Sequence, residues 1–142
     1  MLRFLAFLSA LICAHSLPAM AENQVSLGRD IYNQHCAGCH GQAAKGGKNS
    51  VTTGDTSPPN LKKIAERRGS VWPMLEVMSI IDGYTNATDP RDGMPVINEL
   101  SQGKQIDFDS GNGIVVSAPE NLVAVVSYLE SIQSPKPRSY VP

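Results

Sequence analysis

The 142-residue chain has no surplus of positive charge: 12 Lys and Arg face 13 Asp and Glu, a formal charge of −1. A nucleic-acid binder usually shows a basic stripe, so the balance argues against that class. Cysteine is scarce. Three residues are too few for a disulfide scaffold, and an odd number requires a separate fate for at least one of them. There are no internal repeats and no long low-complexity tract. The composition is neither disordered nor collagenous. The length suits one domain. Much of the 42% apolar content lies in the first twenty residues, so the remainder is leaner than the total implies.

That first stretch has its own pattern. Arg3 supplies a positive charge, Phe4 to Leu17 is mostly apolar, and Ala19-Met20-Ala21 follows with small residues where a signal peptidase reads. Together these predict a secretory signal peptide over residues 1–21, removed in the mature protein. The apolar run is shorter than the ~20 residues of a membrane-spanning helix. Bulky Ile12 before Cys13 argues against a lipoprotein. Cleavage after Ala21 would leave residues 22–142, with 11 basic and 13 acidic residues and no membrane span. Cys13 and His15 would go with the signal. The two Cys and two His that remain all fall between His35 and His40. The expected location is the periplasm, where unclaimed thiols oxidise.

Four helical segments are expected in the mature chain. The first runs from about Val25 to Ala37, with Leu27, Ile31 and His35 spaced by four and Gly28 and Tyr32 beside them. The second spans Leu61 to Arg68, with Asn60 as cap and Gly69 as stop. The third spans about Val71 to Ile81, capped by Ser70, with an apolar stripe through Val71, Leu75, Met78 and Ile81, or through Met74, Met78 and Ile81. The fourth follows the capping box Ser117-Ala-Pro-Glu120 and carries Leu122, Val125, Val126, Leu129 and Ile132 at helical spacing. Pro135 and Pro137 end it, and a short polar tail begins at residue 134. Asp109-Ser-Gly-Asn-Gly113 reads as a tight turn, with a small hairpin between Ile106 and Val116. Long Gly- and Pro-rich connections, 41–59 and 84–100, are uncommon in a compact domain unless they wrap something. Four short helices make a thin core for about 120 residues, so a large apolar body should sit among them.

Cys36-Ala-Gly-Cys39-His40 supplies the candidate. C-x-x-C-H is the attachment sequence for c-type haem. The two thiols form thioethers with the porphyrin, and the following His ligates the iron. A thioredoxin-type reading needs a βαβ setting that the flanking sequence lacks. A zinc site would need His35, Cys36, Cys39 and His40 to surround one ion, which adjacent pairs at one helix end do poorly. The sixth iron ligand must approach from the opposite side of the ring. His35 cannot reach it from the same helix. Met74 and Met78 lie on an apolar helix face, where Met commonly serves as core filler. Met94 sits in a loop between Gly93, which lets the backbone turn, and Pro95, which restricts it. Met94 is therefore the preferred ligand, with Met78 as its rival.

Gly28-Arg-Asp-Ile31-Tyr32 leading into Cys36-Ala-Gly-Cys39-His40-Gly41 resembles the opening of small class I c-type cytochromes. Pro58-Pro-Asn-Leu61, Gly93-Met94-Pro95 and Leu122 to Tyr128-Leu129 follow in that family's order, so the resemblance covers nearly all of residues 24–133. It implies an all-α cytochrome c fold wrapped around one covalent haem c. It also implies that Gly28 lets the first helix cross the last, with Tyr32 and Tyr128 nearby. Pro58 or Pro59 resembles the proline whose carbonyl accepts the His40 Nδ1 proton. Buried haem carboxylates need donors, and Trp72, Tyr84, Arg67, Arg68 and Arg91 are the candidates. No lysine ring of the mitochondrial kind is evident. The segment between Leu100 and Ser117 is more like that of bacterial periplasmic monohaem members.

The function expected on these grounds is one-electron transfer without catalysis, between a redox protein donor and a redox protein acceptor. The chain would be a monomeric carrier or the cytochrome subunit of a periplasmic dehydrogenase or similar complex. A ligand sensor or peroxidase is the least favoured reading, because a His/Met site has no open iron position.

Overall fold

A computed structural model describes residues 18–47, 57–84 and 94–141. Helix α1 spans Pro18–His35. It starts earlier than periodicity suggests and runs across the expected junction between Ala21 and Glu22; most of the predicted signal peptide, residues 1–17, lies outside the described residues. Gly28, Ile31 and Tyr32 form its buried line. Leu27, expected on that line, is 37% exposed, and His35 is exposed too. The cause is the partner helix, α5 (Glu120–Ser131). The α1–α5 pair is the most extensive contact between any two elements. At Gly28 the backbones approach so closely that a Cβ would collide with the Ala124 carbonyl and lie 2.9 Å from Tyr128 Cβ. Tyr32 and Tyr128 then meet with ring centroids 5.3 Å apart.

The predicted second helix is a 3₁₀ turn, Leu61–Lys63, continued by one turn of helix α3, Ile64–Arg67. Asn60 caps it as expected, its Oδ1 accepting from Lys62 N at 3.0 Å. Gly69 ends the segment with a positive φ of 67°.

Three expectations need correction. The predicted third helix begins late. Ser70 has a φ of +72° and caps nothing, and Val71–Pro73 form a short strand, β1; helix α4 covers only Met74–Ile81. Its buried stripe is Met74, Val77, Met78 and Ile81. The capping box at Ser117 does not form. Ser117 lies in strand β3 (Val115–Pro119), which pairs antiparallel with β2 (Gln105–Asp109), and the first amide of α5, Glu120 N, donates instead to Lys104 O at 2.8 Å. The short polar tail adds a second sheet: β4 (Ser139–Val141) pairs in parallel with β1, Trp72 opposite Tyr140. The fold is thus not purely all-α. Among the described residues, five helices, one of them the single turn α2 at Ala37–His40, carry two small two-stranded sheets.

The hairpin β2–β3 is closed as its turn residues foretell. The Asp109 carboxylate accepts from Gly111 N at 2.8 Å and Gly113 N at 2.9 Å, and those amides hold its pKa below the usual carboxylate range.

The core centres on Tyr32, Trp72, Val125 and Val126, all fully buried. Helix α5 is apolar on nearly every side because α1, α4 and the hairpin surround it. Just past its end, Gln133 is buried and fully bonded. Its Oε1 accepts from Ala65 N at 3.0 Å, and its Nε2 donates to Leu61 O and Leu129 O. This pins the α3 segment to the end of α5.

Replacing Gly28 by Val would force α1 and α5 apart. Overpacking of a buried contact costs about 3 kcal/mol, and denaturant unfolding should show a loss of that order. A change under 0.5 kcal/mol would mean that the close crossing is not required.

Candidate functional site

The end of α1 does not stop cleanly; it tightens into a second short turn. Cys36 N donates to Tyr32 O at 2.9 Å, Cys39 N and His40 N both donate to Cys36 O, and Gly41 N donates to Ala37 O. One turn of backbone therefore gathers Cys36, Cys39 and His40. Gly41 then leaves with φ +76°, a conformation that glycine adopts without strain.

Neither thiol is in a disulfide, and both are half-buried. Burial, and secondarily the neighbouring Cys39, pushes the Cys36 pKa up to about 11, so this sulfur is a protonated thiol at neutral pH. Burial pushes the His40 pKa down, which favours the neutral imidazole that ligates metals. The Pro59 backbone works in the opposite direction by favouring a proton on the ring. His40 Nδ1 is nevertheless buried without a fully formed hydrogen bond. Of the two prolines, Pro59 is the one whose backbone acts on the His40 ring.

Gly46 brings that backbone within range, a role the sequence alone did not signal. Its amide donates to His40 O at 2.9 Å and the Gly47 amide donates to Pro58 O at 3.0 Å. A Cβ at Gly46 would strike the Pro58 and Pro59 carbonyl oxygens. A second unforeseen contact comes from Tyr32. Its hydroxyl donates to Gly41 O at 2.6 Å, and burial raises its pKa to about 12, keeping it a donor.

The other candidates separate by location. Met78 and Met74 are both 6% exposed on α4, and Met78 lines a space against the hairpin residues Phe108, Val116 and Ala118. Met94 is partly buried against the core. Gly93 and Arg91 lie outside the described residues. Arg68 pairs with Glu76 at the surface, Arg67 donates to Asn60 O, and Tyr84 is 81% exposed. Trp72 is fully buried in β1, and its Nε1–H finds no acceptor among the described residues. A buried donor of this kind normally has a partner.

These features fit a haem. Two thiols outside any disulfide stand beside an imidazole whose pKa burial lowers, and His40 Nδ1 and Trp72 Nε1 are buried without a hydrogen-bond partner among the described residues. No cluster of three or more His, Cys, Asp and Glu suited to a bare metal ion occurs among the described residues. Comparison with known families agrees. Residues 23–104 match the family described as cytochrome c oxidase, cbb3-type, subunit III. The match spans more than half of the chain, which belongs to this family of class I c-type cytochromes. It is accordingly a protein of haem-based electron transfer, with covalently bound haem c. No curated protein and no solved structure matches the chain.

Tyr32→Phe removes the bond to Gly41 O while keeping the ring. A single hydrogen bond contributes about 1 kcal/mol, and unfolding should register a loss of that size. An unchanged stability would show that the Gly41 turn holds without it.

Proposed function

We propose that the mature chain is a periplasmic electron carrier with a single haem, ligated by His40 and Met94. The observation that carries this reading is the single backbone turn that presents Cys36, Cys39 and His40 together. The haem supplies a one-electron ferric–ferrous couple when bound. Cys36 and Cys39 hold it covalently, so that it cannot be lost after export. His40 would hold the iron through its imidazole, with the Pro59 backbone helping to orient that ring. Met94 would be the second residue to hold the iron. Met/His ligation raises the potential and leaves no open position for a substrate. Trp72 is a donor for a haem carboxylate.

Export rests on Arg3, the apolar run and Ala19-Met20-Ala21. No described helix is long and apolar enough to cross a membrane. The partners are a redox protein donor and acceptor, met in brief encounters over small interfaces. A second reading, a fixed cytochrome subunit of a larger enzyme, draws support from the matched family, whose description is that of an oxidase subunit. Purification from the native membrane and periplasmic fractions separates the two: a carrier elutes alone, a subunit with its enzyme.

Replacement of both Cys36 and Cys39 by Ala should abolish haem that survives acid–organic extraction. Undiminished covalent haem would refute the attachment site. Met94→Ala should lower the midpoint potential and remove the Met-to-iron charge-transfer absorption of the oxidised protein. The same loss in Met78→Ala, with Met94→Ala unaffected, would move the ligand to α4.

A further inference from the structure

Half of the chain's 12 Lys and Arg residues fall in two short stretches: Lys62, Lys63, Arg67 and Arg68 in the α3 segment, and Lys136 and Arg138 in the tail. The fold lays these stretches side by side. Ser134 N donates to Lys62 O at 3.0 Å and Arg138 N donates to Ser70 O at 2.8 Å, so the tail is pinned along the α3 segment at two points. Lys45 joins from a third segment, because Leu61 N donates to Ala44 O at 2.9 Å. The only acid within residues 60–70 and 134–138 is Glu66, which pairs with Lys63 at 3.0 Å. Arg68 is paired with Glu76, and Lys136 donates to Ser131 O. Lys45, Lys62, Arg67 and Arg138 make no ion pair among the described residues, and all but the half-buried Lys62 are exposed.

The surface around the hairpin has the opposite sign. Between residues 94 and 131 the one cation, Lys104, is paired with Glu120 at 3.2 Å, while Glu99, Asp107 and Asp109 are exposed. The formal charge of −1 for the whole chain therefore conceals a basic strip and a separate acidic region. The strip also borders the candidate site. Gly46 N donates to His40 O at 2.9 Å and Gly47 N donates to Pro58 O at 3.0 Å. These bonds set the Pro58–Asn60 stretch against the His40 turn, and the strip continues directly from that stretch.

We propose that residues 60–68 and 134–138 form a docking strip for the acidic face of a redox protein. This rests on the electron-carrier reading and supplies the chemistry of its partner. The tail between its two pins spans at most about 14 Å of extended chain. A strip of that size suits the small interface of a brief redox encounter. Opposite charge steers such encounters and fixes their register. An anionic bilayer fits less well. The hairpin turn packs on the end of the same tail, where a Cβ at Gly111 would lie 3.1 Å from Tyr140 Cβ. A uniformly negative plane laid on the tail would therefore also meet the exposed Asp107 and Asp109. A protein surface can present its acids to the strip alone.

The test uses the reduced, haem-loaded full-length protein, with an oxidised, small acidic blue-copper protein as the probe. One electron passes from ferrous haem to Cu(II), leaving ferric haem and Cu(I), and the second-order rate constant is followed against ionic strength. The strip predicts a rate that falls by about tenfold or more as salt screens the attraction. Lys62→Glu combined with Arg138→Glu should lower the low-salt rate by about tenfold and abolish the fall, with the haem spectrum and midpoint potential unchanged. The milder combination Lys62→Gln and Arg138→Gln should lie between. Arg29→Glu combined with Lys104→Glu changes the net charge equally outside the strip and should keep the fall. A wild-type rate that rises with salt, as repulsion between two acidic proteins requires, overturns the strip. An equal effect of the Arg29 and Lys104 combination overturns it too. Sedimentation with phosphatidylglycerol vesicles that the Lys62 and Arg138 combination abolishes, beside a copper-protein reaction indifferent to it, would assign the strip to lipid and overturn the protein partner. Failure of the wild-type protein to show a haem spectrum would defeat the underlying carrier reading instead.

Discussion

The close crossing of α1 and α5 at Gly28 and Ala124 is the constraint on which the rest of this structure depends. It works only because one helix lacks a side chain where the other presents a backbone carbonyl. The crossing fixes the direction of α1, and α1 delivers Cys36, Cys39 and His40 at its end. It also brings Tyr32 against Tyr128, and the Tyr32 hydroxyl then ties down Gly41 immediately after His40. Helix packing and the candidate cofactor site are therefore one device. A change at Gly28 is felt at the cysteines through a rigid helix, without touching them.

Around that device the chain recruits short pieces that are stable only in company. Gln133 bonds the α3 segment to the end of α5, Gly46 lets the His40 loop run against Pro58 and Pro59, and β4 completes β1. Each contact joins segments far apart in sequence. Such a chain, with little regular structure, gains from a large apolar cofactor, which supplies buried surface that four or five short helices cannot. Covalent attachment makes that contribution permanent.

The candidate site was legible because its residues form a local motif. Cys36, Cys39 and His40 need only the spacing of one helical turn, and the structure keeps that spacing. The Asn60 cap and the hairpin turn at Asp109 were readable for the same reason: each bond closes within a few residues. The errors share the opposite origin. Val71–Pro73 looked like the start of a helix because its partner, Ser139–Val141, lies nearly seventy residues on, and no local pattern announces that pairing. Ser117 looked like a cap because the capping box is a sequence pattern, yet β2 claimed it for a strand, and Lys104 O took over the helix amide. Tyr32 to Gly41 and Gln133 to Leu61 and Ala65 left no signal, since side-chain hydrogen bonds to distant backbone have no characteristic spacing. The two-stranded sheets are what an all-α expectation misses.

The central claim is that this chain holds one haem covalently at Cys36 and Cys39 and cycles it between two oxidation states. Intact mass under denaturing conditions, paired with oxidised and reduced absorption spectra of the purified protein, tests it most directly. The account predicts the mature polypeptide mass plus one haem and a reversible low-spin c-type spectrum with narrow reduced bands. A mass equal to the bare polypeptide, or a haem removed by acid–organic extraction, would contradict it.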